Sequence, residues 1–255
     1  MADKITVRDL WKAFPTRQGL LSVLEGIEFT VAEGEFVAII GPSGCGKTSL
    51  LNIIAGFERP DRGEVTVDGV PVSAPSTKGI VMSQQGSVFP WLSVRGNLTF
   101  GLDGRPEPER RRIADHYMTL VGLQGFEGAF PHELSGGMLK RVEVARALAV
   151  QPAILYMDEP LAALDALTRF RMRIELLRIL SGERHTSLLV THDVEEAIHM
   201  ADRILILSAR PAKIRTVVNV PFPHPRKLSS PVVLALKEHI LRELGVEALT
   251  STTDL

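Results

Sequence analysis

The feature that most limits how this chain can fold is the segment EFVAIIGPSGCGKTSLLNIIAG, residues 35–56. A nearly continuous apolar run predicts a strand buried on both faces. A glycine-rich loop follows it, and then apolar residues at helical spacing that end at Gly56. The loop fits the pattern G-x-x-x-x-G-K-S/T with Gly41, Gly46, Lys47 and Thr48. This order predicts an α/β protein with a phosphate-loop NTPase core.

The loop has the chemistry that a nucleotide triphosphate needs. Its glycines allow successive backbone N–H groups to face phosphates, Lys47 supplies a positive charge for the β- and γ-phosphates, and the hydroxyl of Thr48 suits Mg²⁺. The helix start adds a favourable dipole. The predicted ATP-binding residues of this loop are Gly41, Pro42, Ser43, Gly44, Cys45, Gly46, Lys47, Thr48 and Ser49.

The remaining pattern predicts a mostly parallel sheet with two additions. Strand-like runs before residue 70 end in Asp68-Gly69, a strong hairpin signal that favours an antiparallel β subdomain. A helical pattern from about Arg105 to Leu148 predicts an inserted helical subdomain, placed at about residues 87–151. Two buried-strand runs follow, AILYMD and SLLVT. We therefore expect an ATPase domain over 1–225, with its core at about 1–86 and 152–225, and a helical tail over 226–255.

Polar residues follow the two later strands, at the sheet edge where parallel α/β proteins bind ligands. Asp158 ends one strand and is a candidate Mg²⁺ residue, while Glu159 is placed to orient or deprotonate water. His192 ends the other strand and is expected to contact a γ-phosphate. A simple acid pair and a structural histidine are the alternatives for these positions.

A second segment, PHELSGGMLKRVEVARALA, also has the form of a phosphate-binding helix start. Ser135, Gly136 and Gly137 would compete with Lys47 if they held the same phosphates of the same chain. They can instead contact the γ-phosphate of a nucleotide held by another copy. The sequence therefore predicts a head-to-tail homodimer that encloses two ATP molecules.

Composition excludes several classes of protein. The 255 residues carry a formal net charge of −1, which gives no general basic field for nucleic acid. A single cysteine, Cys45, excludes an internal disulfide framework. The N-terminus lacks the apolar core of a signal peptide, and no apolar run is long enough to span a membrane. A cytosolic location is expected, with other chains crossing the membrane if the protein works there.

Taken together, GPSGCGKT, LSGGM, ILYMDEP, AALD and LLVTHD resemble the motifs of ATP-binding-cassette (ABC) ATPases, in their order and over nearly the whole chain. The resemblance implies ATP and Mg²⁺ as cofactors. It also implies three further residues: Phe14 stacking on adenine, Gln84 contacting Mg²⁺ and the attacking water, and Asp165 reaching across to the partner. A core aromatic is the alternative for Phe14. Leu139 and Lys140 depart from the usual signature, which puts the rate and coupling in doubt but not the reaction.

The segment SVFPWLSVRGNLTFGL is similar to cassettes of nitrate, taurine and alkyl sulfonate importers. This resemblance implies integral membrane permease partners, an indirect link to a solute-binding protein, and a peripheral location on the cytoplasmic face of the inner membrane. Trp91 and Phe89 are either interface residues or buried anchors of the loop. The alternatives for the whole chain are a soluble cassette of the repair or translation type, a small-molecule kinase, and a non-hydrolysing binding module.

Overall fold

The computed structural model describes residues 3–84, 86–182 and 185–246. Two compact units account for the chain: residues Met1–Ser76 with Thr186–Leu255, and residues Thr77–His185. The predicted limits of the helical subdomain, 87 and 151, both lie inside the second unit, and that finer division stays a prediction. Among the described residues, no helix has the length and apolar character needed to cross a membrane.

The first unit contains an antiparallel sheet in the order β2-β1-β4-β5. The predicted hairpin turn joins its last two strands, with Asp68 at φ 52° and Gly69 at φ 73°. Both values lie in the left-handed region that a tight hairpin requires. The strands are β1 (Asp3–Thr16), β2 (Gly19–Ala32), β4 (Arg62–Val67) and β5 (Val70–Pro71).

The same unit contains strands in the order β10-β9-β3-β8, in which β3 pairs in parallel with both β8 and β9. Every residue of β3 and β8 is buried; β3 is entirely apolar, and β8 is apolar after Thr186 and Ser187. The elements are β3 (Phe36–Ile40), β8 (Thr186–Val190), β9 (Arg203–Leu207), β10 (Ile214–Asn219), α1 (Lys47–Ile54), α6 (Val194–Met200) and α7 (Pro231–Glu243).

The second unit joins a parallel strand pair to a group of helices. The strands are β6 (Gly79–Met82) and β7 (Ile154–Asp158), and the helices are α2 (Val94–Thr99), α3 (Glu107–Leu120), α4 (Gly136–Ala149) and α5 (Ala166–Gly182). Helix α4 packs against α2 and α3. The predicted fold class is confirmed: an α/β protein with parallel strands, an antiparallel subdomain and inserted helices.

The C-terminal segment is bound to α6. The buried guanidinium of Arg226 donates to the carbonyl oxygens of Ile198 and Ala201 at 2.7 and 2.6 Å, where α6 ends. Lys237 of α7 pairs with Glu195 of α6 at 2.6 Å. In the predicted helical tail, α7 therefore packs on α6 within the first unit, and residues 247–255 lie outside the described residues.

Candidate functional site

The phosphate loop, residues 41–48, connects β3 to α1 in the first unit. Gly44 and Gly46 have φ values of 70° and 115°, which L side chains rarely adopt. A Cβ on Gly46 would lie 2.5 Å from Cγ1 of Val23, and one on Gly41 would lie 3.1 Å from the carbonyl oxygen of Leu207. The chain's own packing and backbone thus favour glycine at position 46, and the space at position 41 is tight for any side chain.

Lys47 is held by the loop that contains it. Its side chain is buried, and the ammonium donates to the carbonyl oxygens of Gly41 at 2.9 Å and Pro42 at 3.0 Å. Pro42, Ser43, Gly44 and Thr48 are exposed, and Ser49 is half-buried. A positive charge fixed beneath an exposed, glycine-rich backbone fits the phosphates of ATP.

Cys45 turns its side chain into the protein. Its relative exposure is 1%, and its backbone N–H donates to the carbonyl oxygen of Pro42 at 3.2 Å. Burial raises the pKa of the thiol, and the charge of Lys47 opposes this shift. Cys45 therefore supports the loop by packing, and only its backbone can serve the predicted ATP site.

Arg210 is a cation near this loop that sequence reasoning missed. It is exposed, and its Nη2 lies 3.8 Å from the position that a Cβ on Gly44 would occupy. Its charge, like that of Lys47, opposes the rise in the pKa of Cys45 that burial causes. No local signal could have revealed it, because Arg210 follows β9 and lies far from Gly44 in the chain.

His192 lies in a turn that its neighbours fix. The hydroxyl of Thr191 donates to Glu196 at 2.5 Å and accepts from the backbone N–H of Asp193 at 3.0 Å. The carboxylate of Asp193 caps α6 by accepting from the N–H groups of Glu195 and Glu196. His192 is exposed between these anchored residues. Its predicted contact with a γ-phosphate stays a prediction.

Phe14 lies on β1 near its hairpin with β2. The ring is half-buried, and the ammonium of Lys12 lies 5.1 Å from its centroid. Its cross-strand partner is Leu21, beside the exposed Leu20. An apolar platform next to a cation suits an aromatic base, but adenine stacking stays a prediction.

Two predicted catalytic residues meet in the second unit. The side-chain amide of Gln84 donates to Oε2 of Glu159 at 3.3 Å. Glu159 directly follows Asp158, the half-buried last residue of β7. The φ of Glu159 is 46°, a left-handed conformation that costs a non-glycine residue about 1–3 kcal/mol and is frequent at functional sites.

The predicted second phosphate segment, residues 135–137, starts α4. The hydroxyl of Ser135 accepts from the backbone N–H of Met138 at 3.3 Å and so caps the helix. Ser135 and Gly136 are exposed. Apart from its chain neighbours and the backbone of its own helix, no described atom lies within 4 Å of where a Cβ on Gly136 would stand, and for Gly137 the nearest is Cγ2 of Thr168 at 3.5 Å. The backbone of this helix start is accessible from outside.

Asp165 lies in the turn before α5. Its Oδ1 accepts from the backbone N–H of Thr168 at 3.0 Å. Hydrogen bonds from the side chain and backbone of Thr168 lower the pKa of Asp165. Because Thr168 also contacts the Gly137 position, the structure places the turn of Asp165 beside the start of α4.

The described residues hold no cluster of three or more His, Cys, Asp or Glu side chains that could ligate a metal ion. The predicted Mg²⁺ residues, Thr48, Gln84 and Asp158, stay a prediction; Mg²⁺ commonly takes few protein ligands and completes its shell with phosphate oxygens and water. Each of the three offers a single oxygen donor group of the type that Mg²⁺ prefers.

Comparison with known proteins agrees with this geometry. The family profile described as ABC transporter matches residues 24–162. An uncharacterized ABC transporter ATP-binding protein of Methanocaldococcus jannaschii is 44% identical over 98% of this chain and 95% of its own length. The aliphatic sulfonates import ATP-binding protein SsuB of Bacillus cereus is 38% identical over 98% and 99%. The nitrate import ATP-binding protein NrtD of Synechococcus elongatus is 42% identical over 85% and 81%.

Among solved structures, a dimeric ATP-binding cassette in a post-hydrolysis state, bound to ADP and phosphate, has a TM-score of 0.74 and 27% identity. It covers 86% of this chain, and the match spans 100% of that cassette. The expected family is confirmed, together with ATP and Mg²⁺ as its cofactors. This chain belongs to the ABC transporter family, in which it is an ATP-binding subunit and an ATPase.

Proposed function

We propose that two copies of this chain hydrolyse ATP to drive import of a small nitrate-, sulfonate- or taurine-type solute through separate permease chains. The SsuB and NrtD relatives, which are named for sulfonate and nitrate import, support the solute class. The dimeric cassette supports the two-copy assembly. The chain then works as a peripheral protein on the cytoplasmic face of the membrane, and a solute-binding protein captures the solute.

The observation that carries the proposal is the accessible start of α4. Gly136 and Gly137 occupy positions where a methyl group would meet little or nothing of the described chain. Two consecutive glycines at a helix start lower the stability of the helix. Their advantage is that another molecule can approach the backbone closely. The γ-phosphate of an ATP held by Lys47 of the second copy satisfies that requirement.

The residue roles follow from their chemistry. The phosphate loop binds the β- and γ-phosphates through its N–H groups and Lys47, Phe14 receives adenine, and Asp165 contacts the partner copy. When bound through Thr48, Gln84 and Asp158, Mg²⁺ supplies positive charge to the phosphate oxygens. His192 donates a hydrogen bond to the γ-phosphate.

Glu159 is the general base in this proposal. Its carboxylate accepts a proton from water as the water oxygen bonds to the γ-phosphorus, and the bond from that phosphorus to the bridging oxygen of ADP breaks. The amide of Gln84, 3.3 Å from Oε2 of Glu159, holds the carboxylate in place while its own oxygen remains available to water or Mg²⁺. The products are ADP and inorganic phosphate.

The test is Glu159→Gln, with Glu107→Gln as a control on the exposed start of α3. We expect Glu159→Gln to lower kcat by at least about 100-fold, because it removes the base. ATP binding should persist, and light scattering should show a dimer in ATP. Glu107→Gln should match the wild type. Full ATPase activity in Glu159→Gln, or a monomer in ATP with and without permease, would contradict the proposal.

The transporter assignment has a separate test. Tagged Glu159→Gln, pulled down with ATP from detergent-solubilised membranes, should recover a multi-span permease. Trp91, 67% exposed and stacked on Phe89 at 5.2 Å, supports such a partner because exposed stacked aromatics are typical of interfaces. Recovery of soluble or nucleic-acid-binding partners alone would favour the cassettes of repair and translation.

A further inference from the structure

Helix α4 contains a buried charge pair that the proposed chemistry does not use. Nζ of Lys140 and Oε2 of Glu143 lie 2.5 Å apart, and their side chains are only 9% and 5% exposed. Breaking such a pair is costly, but replacing both partners with apolar residues is often neutral or stabilising. Stability of the fold alone therefore gives little reason for a charged pair at this place.

The second oxygen of Glu143 binds the loop that follows Gln84. Oε1 accepts from the backbone N–H of Ser87 at 2.5 Å, and Arg146, one turn further along α4, donates to the carbonyl oxygen of Ser87. Gly86 allows this approach, because a Cβ there would lie 3.0 Å from Oε1 of Glu143. Both backbone polar groups of Ser87 are thus bound by side chains of α4.

The backbone of Phe89, in the next part of the loop, is also bound at both its N–H group and its carbonyl oxygen by a side chain. The buried amide of Asn97 accepts from the backbone N–H of Phe89 at 2.8 Å and donates to its carbonyl oxygen at 3.1 Å. Helix α2, which contains Asn97, packs on α4. The segment from Gly86 to Phe89 therefore has its backbone fixed to the helices at two points.

The clamped segment lies between two residues that matter for function. Gln84, three residues before Ser87, contacts Glu159, and Trp91, four residues after it, is exposed. The helix that holds Ser87 begins at Gly136, the proposed phosphate contact. Helix α4 thus connects the proposed phosphate contact to Ser87. Helix α2, which packs on α4, holds Phe89 through Asn97.

We propose that Glu143 is a positioning residue, oriented by Lys140, that makes Gln84 and Trp91 follow the movement of α4. Lys140 fixes Oε2 of the carboxylate, so that Oε1 faces the N–H of Ser87. The inference rests on the proposed function, because phosphate bound at the start of α4 supplies the movement. It assigns a role to Lys140, which departs from the usual signature of the family.

Two double variants separate this role from simple packing. Lys140→Met with Glu143→Gln removes both charges but keeps an oxygen acceptor for Ser87. Lys140→Met with Glu143→Ala removes the charges and the acceptor. Neither double variant strands the ammonium of Lys140, so both should fold. The Glu143→Ala double variant should have the lower urea midpoint, because it leaves the N–H of Ser87 without its acceptor. The single variant Glu143→Ala, which strands the ammonium of Lys140, measures the cost of breaking the pair.

Two measurements report on the loop. The first is steady-state ATPase activity with MgATP, separated into kcat and KM. The second is the fluorescence of Trp91 in a Trp11→Phe background, since Trp11 and Trp91 are the two tryptophans. The probe is Mg²⁺ with a non-hydrolysable ATP analogue, which should change the environment of Trp91 in the parent protein.

We expect kcat of the Glu143→Ala double variant to be about tenfold below that of the Glu143→Gln double variant, because misplacement of a positioned group slows chemistry. KM of the two double variants should agree within about twofold, since neither substitution changes a contact with bound ATP. The change in Trp91 fluorescence should persist in the double variant with Glu143→Gln. It should fall by at least about half in the double variant with Glu143→Ala, because the loop no longer follows the helix. A merely structural pair would give equal values for both doubles.

Each failure has its own signature. Equal kcat and equal Trp91 responses in the two double variants, with an active wild type, overturn the positioning role and leave the proposed function intact. A wild type without ATPase activity, while Trp91 still responds to the analogue, overturns the proposed hydrolysis instead. Loss of ATPase activity in Glu159→Gln within the same series confirms that the measured turnover belongs to this chain.

Discussion

The phosphate loop and the start of α4 are both glycine-rich segments that lead into a helix, but they need glycine for different reasons. In the phosphate loop, Gly46 combines a φ of 115° with a Cβ position only 2.5 Å from Val23. At the start of α4, Gly136 has an ordinary φ, and its Cβ position is open among the described residues. Contacts within the chain therefore account for Gly46, but they do not account for Gly136.

This difference indicates where each segment finds its ligand contacts. In the phosphate loop, Lys47 is already held by the carbonyl oxygens of Gly41 and Pro42 of the same chain. The hydroxyl of Ser135 caps its own helix by accepting from the backbone N–H of Met138, and the neighbouring glycines leave the backbone accessible. Glycine that folding does not require is best explained by an approaching molecule. Substitutions at the two segments should therefore separate stability from activity.

The largest effect on stability is expected for Gly46→Ala. The new side chain must adopt a left-handed conformation and displace Val23, so the free energy of unfolding should fall by at least about 2 kcal/mol. Gly69→Ala is the matched control, since its φ is 73° but its Cβ position is open. It should cost about 1 kcal/mol from backbone strain alone. Equal losses in urea titrations would show that packing around Gly46 is unimportant.

Gly137→Ala should lower ATPase activity with little loss of stability, the reverse of the effect expected for Gly46→Ala. Alanine favours the helix, so the free energy of unfolding should stay within about 1 kcal/mol of the wild type or rise. If the proposed two-copy site is right, ATPase activity should fall by about tenfold or more, because the methyl group would keep the γ-phosphate of the ATP on the partner copy from the helix start. Gly128→Ala, at another open position without positive φ, should leave both unchanged. Full ATPase activity in Gly137→Ala would remove the main support for the two-copy site.

The contrast also explains which parts of the candidate site can be predicted from the sequence. The phosphate loop is local: strand, glycines and Lys47 are consecutive, and glycine spacing reports its backbone directly. The same holds for the turn at Asp68-Gly69 and for the buried runs that became β3, β7 and β8. Their residues interact with near neighbours or form mostly apolar strands, so that the local pattern is enough.

Contacts between distant segments left no such trace. Arg210 approaches Gly44, and Glu143 binds Ser87, across long stretches of chain. A buried Lys140–Glu143 pair has the same i,i+3 spacing as many solvent-exposed pairs on helices, so its burial could not be read from spacing. The left-handed conformation of Glu159 is likewise invisible, because nothing in the sequence marks a glutamate with positive φ.

The smallest effect concerns the thiol inside the phosphate loop. Burial raises the pKa of Cys45 above its ordinary value of 9.0, although the residue lies beside Lys47 at a helix start. The folded state therefore favours the neutral thiol. This contribution to stability is fully present below pH 9, and it is lost as the pH rises through the folded-state pKa. At pH 8, iodoacetamide should label native Cys45 at least about tenfold more slowly than the urea-unfolded chain.

A thiol at the other segment should behave in the reverse way. In Ser135→Cys combined with Cys45→Ala, the introduced thiol is exposed at the start of α4, where the helix N-terminus lowers a cysteine pKa. It should react at least about tenfold faster than native Cys45 at the same pH. MgATP should slow its labelling only where the dimer forms, and so less at protein concentrations that favour monomers. Equal labelling rates for the two thiols would mean that the phosphate loop is as open as the start of α4, and the distinction between a self-contained and a shared segment would fail.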